Sequence, residues 1–282
     1  MEGILVLHHG ICHTHEHFDS LIAALNSQGF YVAMIDQQSE DAGLFRNCLG
    51  LGSYRRGMAT AVRAIMERTG EDVRGYVLHS MGAMIGEEMQ QANPALRQPT
   101  VLMAPIPFHG AWPATWRILL NQPLAYAWAV LTANVHHLAS TPQQVRKLFF
   151  AEETPEDIIE RATVQLRHAP FWTYCRLILR PFVFWRWVAN DGNPKLLLYS
   201  KSDFLFQEWE FDRTIKLYGD QLEQDKLSGG HDFFIQYAST TAERIADFFA
   251  RHCGPHIPPP HRRPNRKWDQ LGNDDAAGSV QM

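Results

Sequence analysis

The feature that most restricts the fold is a rhythm. Along the N-terminal part of the chain, short apolar runs alternate with amphipathic stretches. Ile4–His8, Tyr31–Ile35, Val73–Leu78 and Pro99–Ala104 are the apolar runs, each of strand length. Runs with no polar alternation suit strands covered on both faces, as in a parallel sheet packed between helices. Between the runs, Phe18, Leu21, Ile22 and Leu25 recur at helical spacing before a stop at Gly29, and Ser53–Met66 and Met81–Gln91 also read as helices. The order strand, helix, strand, helix, strand, helix, strand predicts an α/β architecture.

The rhythm breaks over residues 107–190. This stretch holds Trp112, Trp116, Trp128, Trp172, Trp185 and Trp187, six of the eight tryptophans, and no convincing strand. Thr141 before Pro142, and Thr154 before Pro155 with Asp157 behind it, are expected to cap helices. The stretch reads as a helical lid inserted into the fold. The rhythm then resumes with strand Lys195–Tyr199, helix Glu208–Leu217, a weaker strand Gln221–Leu227 and a last helix Thr240–Arg251. The core is therefore expected over 1–106 and 191–251. The proline- and charge-rich end, 252–282, is expected to be a disordered tail.

Bulk properties exclude several classes. A net charge of -4 offers no basic face, so no nucleic-acid partner is expected. Cys12, Cys48, Cys175 and Cys253 form neither a CxxC pair nor a small-domain disulfide pattern, which predicts a reduced, cytoplasmic protein. The apolar start is too short for a signal peptide, and Asn121, Gln122 and Pro123 interrupt the segment nearest to a membrane span.

The chemistry centres on Gly75-Tyr-Val-Leu-His-Ser-Met-Gly82. Ser80 falls where a strand passes into a helix, the place for an exposed nucleophilic hydroxyl, with Gly82 allowing close approach. The usual motif also has glycine two residues before the serine. Here that residue is Leu78, and its bulk demands a local adjustment. A serine in this position can also simply cap the helix. A nucleophilic serine needs a base. His231 follows Gly229-Gly230 after the last strand, and Asp203 lies just beyond the strand before it. Asp203 is expected to orient His231, with Asp36 a lesser rival and Asp232 badly placed. Taken alone, the histidine could be a surface residue and the aspartate a helix cap. The N–H groups of Ile11 and Met81 are the expected oxyanion donors, with Gly10 forming the turn beside them. His13-Thr-His-Glu-His17 invites a metal reading, but its spacing does not share one helix face. Lining of a pocket mouth is the plainer expectation, and no metal or cofactor is assigned.

With these residues in place, the sequence resembles the α/β-hydrolase superfamily. Leu5-Val-Leu-His-His-Gly10 is similar to its first strand and oxyanion turn. Leu78-His-Ser-Met-Gly82 is similar to its nucleophile elbow, and Val101-Leu-Met-Ala-Pro105 to the strand leading to the lid. Lys195-Leu-Leu-Leu-Tyr-Ser-Lys-Ser-Asp203 is similar to its acid-bearing segment, and Gly229-Gly-His-Asp232 to its histidine turn. The resemblance implies an α/β-hydrolase fold of about six mainly parallel strands, in the family order 4-3-5-6-7-8, lacking the leading hairpin. Gly10-Ile-Cys-His13 adds a local similarity to the plant methylesterase and hydroxynitrile lyase branch. The implied activity is a serine hydrolase acting on a hydrophobic small-molecule ester. A thioesterase, a lactonase or a non-catalytic ligand-binding protein are the alternatives. Arg176-Leu-Ile-Leu-Arg-Pro-Phe-Val-Phe-Trp-Arg-Trp187 interleaves basic and aromatic residues. An apolar tunnel, peripheral membrane contact through the lid, or the lid's own core would each use such a segment.

Overall fold

The computed structural model describes residues 3–36, 50–183, 192–253 and 279–281. Its centre is one sheet. The strands are β1 (Ile4–His8), β2 (Tyr31–Asp36), β3 (Val73–His79), β4 (Thr100–Met103), β5 (Lys195–Ser200), β6 (Leu222–Leu227) and β7 (Ser279–Gln281). They are arranged β6-β5-β4-β3-β1-β2-β7. The first six are parallel and follow the expected order. The seventh was not expected. Ser279–Gln281, from the end read as a disordered tail, pairs antiparallel with β2 at the sheet edge. Residues 254–278 lie outside the described residues.

Every residue of β1, β3, β4 and β5 is buried, as the apolar runs require. Helices α1 (Asp19–Ser27) and α10 (Ala238–Cys253) cover one face, where Leu21, Leu25, Ile245, Phe248 and Phe249 join the inward side chains of the strands. Helices α2 (Leu51–Thr69), α3 (Met81–Ala92) and α9 (Glu208–Tyr218) cover the other with Met58, Val62, Met84 and Phe211. Gly70 ends α2 in the left-handed conformation, φ 69°, and its N–H returns to Met66 O at 2.9 Å. Edge strand β6 is the exception to full burial and alternates in exposure, which is why its pattern is weak in sequence.

The lid contains α4 (Trp112–Asn121), α5 (Pro123–Leu131), α6 (Pro142–Phe149), α7 (Glu156–Gln165) and α8 (Phe171–Val183). Thr141 caps α6 as expected, its hydroxyl accepting from Gln144 N at 3.3 Å. Thr154 does not cap α7. Pro155 is extended, with ψ 143°, and takes the cap position itself, so the helix begins one residue later. The buried Thr154 hydroxyl instead donates to Gln236 Oε1 at 3.0 Å. The lid has a core of its own, with Ile118, Val135, Leu138, Val145, Leu148, Phe149 and Ile159 among its members. The tryptophans are not in it: Trp112, Trp116, Trp128 and Trp172 are 44–57% exposed. Trp185 and Trp187 lie outside the described residues.

Hydrogen bonds join the lid to the core on both sides of the sheet's C-terminal edge. Arg117 on α4 donates to Glu210 Oε2 at 2.5 Å and to the carbonyl of Phe204 at 3.2 Å, and Glu210 on α9 is fully buried. At the end of α6, the carbonyl of Phe149 accepts from Asp232 N at 2.9 Å, pinning the loop after β6.

Candidate active site

Ser80 sits between β3 and α3 with φ 51° and ψ -116°. A side-chain-bearing residue holds a positive φ only where its surroundings impose it. The turn is fixed from both sides. Ser80 N donates to Met103 O at 3.0 Å, and Ser80 O accepts from Ala83 N at 3.2 Å. Gly10 passes so close that a Cβ there would lie 2.9 Å from Ser80 Cβ, and one on Gly82 would lie 2.6 Å from His9 O. Neither position has room for a side chain.

The bulk of Leu78 is accommodated one turn into the helix. A Cβ on Gly86 would lie 2.4 Å from Leu78 Cδ1. The space that glycine usually opens before the serine is opened here by Gly86, which sits opposite a fully buried Leu78. The sequence signal was present as Gly82 and Gly86 on one helix face, and sequence reasoning missed it.

Ser80, His231 and Asp203 come together. His231 Nε2 lies 3.0 Å from Ser80 Oγ, and His231 Nδ1 lies 2.8 Å from Asp203 Oδ2. A carboxylate oxygen accepts, so Nδ1 carries the hydrogen and Nε2 faces the hydroxyl as the acceptor. Asp203 is held in turn by Leu205 N at 2.7 Å and Phe206 N at 3.0 Å, both donating to Oδ1. All three residues are buried. Burial alone would lower the His231 pKa, but the charge and hydrogen bond of Asp203, helped by Asp232, overcome it and hold it above the ordinary histidine value.

Ile11 lines the same cavity as Ser80, and Met81 opens α3, where the first N–H groups of a helix have no partner within it. Asp36 lies apart from the Ser80–His231–Asp203 line. It pairs with His9 Nε2 at 3.2 Å and His15 Nδ1 at 2.9 Å, and these contacts hold its carboxyl far below the usual carboxylate range despite partial burial.

The histidines are interior, contrary to the pocket-mouth expectation. His8, His9, His13 and His17 are each buried, and only His15 is partly exposed. The reason is partner supply: each buried ring meets a backbone carbonyl or a carboxylate. His13 Nδ1 faces Ile11 O at 2.8 Å and its Nε2 faces Asp232 Oδ2 at 2.8 Å. The carbonyl can only accept, so Nδ1 bears a hydrogen, and one proton is shared between Nε2 and the carboxyl group. In its charge-separated form this is an ion pair in which both side chains are 1% exposed. Asp232 thus turns away from His231, as expected, but has a structural partner that its sequence position did not reveal. His79 Nε2 lies 3.4 Å from the second oxygen of Asp232. Burial, then the nearby His231 and His13, keep the His79 ring neutral. Burial likewise drives the His17 pKa down to about 3. Among the described residues, His13, His79 and Asp232 form the grouping whose ligand atoms could meet at a metal ion. The 2.8 Å His13–Asp232 separation is that of a charge-assisted hydrogen bond.

Beside Ser80 lies a cavity of about 70 Å³ between sheet and lid. Ile106, Ala114, Ile118, Leu138, Phe149 and Leu177 are among its walls. Thr115 and Tyr174 supply hydroxyls, but these face one another at 3.2 Å.

Comparison with known structures gives the same fold. A thermophilic esterase from Thermogutta terrifontis, with malate bound, superposes with a TM-score of 0.65 at 13% identity, covering 89% of this chain and 92% of that one. An extracellular α/β-hydrolase from a Paenibacillus species, described as sharing structural and functional homology with tobacco salicylic acid binding protein 2, gives 0.63 at 14% identity, covering 87% and 98%. A monoacylglycerol lipase from Paleococcus ferrophilus gives 0.61 at 17% identity, covering 89% and 97%. No curated protein matches by sequence. Residues 1–167, which reach from β1 through the turn at Ser80 into the lid, match the family described as serine aminopeptidase, S33. With that match over more than half its length and the α/β-hydrolase fold around it, the chain belongs to this family of serine-dependent hydrolases.

Proposed function

We propose that this hydrolase cleaves a hydrophobic carboxylic ester through an acyl-enzyme intermediate, with Ser80, His231 and Asp203 as its triad. The observation that carries the reading is the hydrogen-bonded line from Ser80 Oγ through His231 to Asp203, at 3.0 and 2.8 Å. Ser80 Oγ attacks the ester carbonyl while His231 Nε2 takes its proton. Asp203 holds Nδ1–H and stabilises the imidazolium. The N–H groups of Ile11 and Met81 donate to the oxyanion. His231 then protonates the departing alcohol. A water enters, gives its proton to His231, and releases the acid from Ser80. No step uses a cofactor.

The family description names a peptidase. A free amino terminus would carry an ammonium group and call for an acid in the pocket. Among the described residues, those lining the cavity beside Ser80 include no acidic one, which favours an uncharged acyl group. Its volume of about 70 Å³ is half of the roughly 150 Å³ that admits benzene. A short acyl group therefore suits the site better than the long acyl tunnel considered from sequence. Thioesters and lactones would use the same groups. The similarity to the plant methylesterase branch is local to the N-terminal segment around Gly10-Ile-Cys-His13. We also infer a cytoplasmic location from cysteine usage, in keeping with the free thiols of Cys12, Cys175 and Cys253.

A fluorophosphonate probe tests the reading. It should label the folded protein on Ser80, located by mass mapping, and Ser80→Ala should abolish both labelling and ester turnover. Absence of labelling in the folded wild type, with ester turnover unchanged in Ser80→Ala, would sink the proposal.

A further inference from the structure

Helix α5 has no polar face. Its sequence, Pro-Leu-Ala-Tyr-Ala-Trp-Ala-Val-Leu, contains no charged or amide side chain. A helix that is apolar all round is normally buried in a core or a bilayer. Here only Ala129 is buried, whereas Leu124 is 85% and Leu131 79% exposed. Helix α4 extends the feature. Its inward residues Ala114 and Ile118 line the cavity beside Ser80. Its outward residues Trp112, Trp116 and Leu120, spaced one turn apart, are open to solvent, as is Trp128 on α5. Such a patch, large and aromatic on an otherwise well-packed molecule, marks a contact surface.

Charge and length select the occupant. Residues 107–151 contain no aspartate or glutamate. Arg117 is turned inward to Glu210. The exposed residues around the patch include Asn121, Thr132, Gln143 and the cation of Lys147. A neutral-to-cationic rim around tryptophan and leucine complements phosphate headgroups over acyl chains, where tryptophan also prefers to sit. No described helix is long and apolar enough to cross a membrane. At about 1.5 Å per residue, the nine residues of α5 cover less than half of a roughly 30 Å bilayer core. The element can lie in an interface but not cross it.

We propose that the α4–α5 hairpin is a lipid-docking surface that seats the protein on the headgroup–acyl boundary of a phospholipid layer. Docking itself does not depend on the triad. That an apolar substrate then reaches the cavity from the lipid side rests on the ester reading above.

The test uses the full chain carrying Ser80→Ala, so that vesicle lipid is not consumed. It is co-sedimented with vesicles of phosphatidylcholine alone and of phosphatidylcholine mixed with phosphatidylglycerol. Binding to both is expected, tighter on the anionic vesicles, with a blue shift of tryptophan emission. Leu124→Asp with Leu131→Asp should weaken binding by about tenfold or more, since two apolar side chains no longer leave water. Thermal melting checks that these variants fold, whether or not the protein turns over esters. In the Ser80-containing background they should hydrolyse a soluble short ester at the wild-type rate. Failure to bind either vesicle overturns the proposal, as does undiminished binding of the double variant. A dimer that the double variant abolishes, without vesicle binding, would assign the patch to a second copy of the chain and overturn it equally.

Discussion

Ser80 lies 4% exposed at a backbone conformation that its neighbours impose, and in the proposed mechanism the titration of His231 decides when it can react. The base must be neutral to take the serine proton. Its pKa is raised, chiefly by Asp203 against the effect of burial, so kcat/KM should rise with pH through a midpoint above the ordinary histidine value. Linkage runs the other way. The stability contributed by a raised histidine pKa is complete below the unfolded value and is lost as pH rises through the folded one. Asp232 contributes to the same elevation from a side chain aimed at His13. Asp232→Asn preserves the shape, offers its amide N–H to His13 Nε2, and removes the carboxylate. The acid limb of the pH–rate profile should then move to lower pH, because the imidazolium loses a nearby negative neighbour. An unmoved midpoint would show that this carboxylate acts on folding alone. His13→Ala asks the complementary question. It leaves Asp232 buried without its partner, and denaturant unfolding should register a loss of about 3–5 kcal/mol.

At the scale of elements, the contact between β3 and α3 is the departure from the usual nucleophile turn. Leu78 and Gly86 have exchanged the roles of bulk and space. Gly86→Ala should overpack this contact and cost about 1–3 kcal/mol. Leu78→Ala should open a void and cost about 2–5 kcal/mol. Together they should be milder than their sum, since the new methyl enters the space that leucine vacates. A double-mutant cycle by chemical denaturation reads the coupling, and additivity within about 0.5 kcal/mol would refute the exchange. The elements themselves were legible because their apolar runs and helical spacings are local. The shift of the α7 start was not. Whether Thr154 caps the helix depended on Gln236, 82 residues away, competing for its hydroxyl.

At the scale of the whole molecule, the proposed acyl site is a space between two units of the fold. The sheet supplies Ser80, the lid supplies Ile118, Leu138 and Phe149, and Arg117–Glu210 fastens one to the other. In a series of p-nitrophenyl esters, acetate to butyrate should be hydrolysed faster than octanoate. Ile118→Ala should move the preference to longer chains, at a stability cost of about 2–5 kcal/mol. A wild-type rate that climbs steadily to octanoate would mean that the closed cavity does not set acyl length.

Sequence alone determined the fold class, the order of the six parallel strands and the meeting of Ser80, Asp203 and His231. Each follows from local patterning: apolar runs specify buried strands, and parallel connection then carries every strand end to the same edge of the sheet. Tertiary structure alone decided what Leu78 packs against, that the N-terminal histidines are interior, and that His13 meets Asp232 across 219 residues. It also decided which lid residues face the cavity and which face solvent. Those outcomes depend on partners supplied from distant parts of the chain. A buried polar or bulky group is tolerated only where such a partner or space is present, and no local pattern carries that information.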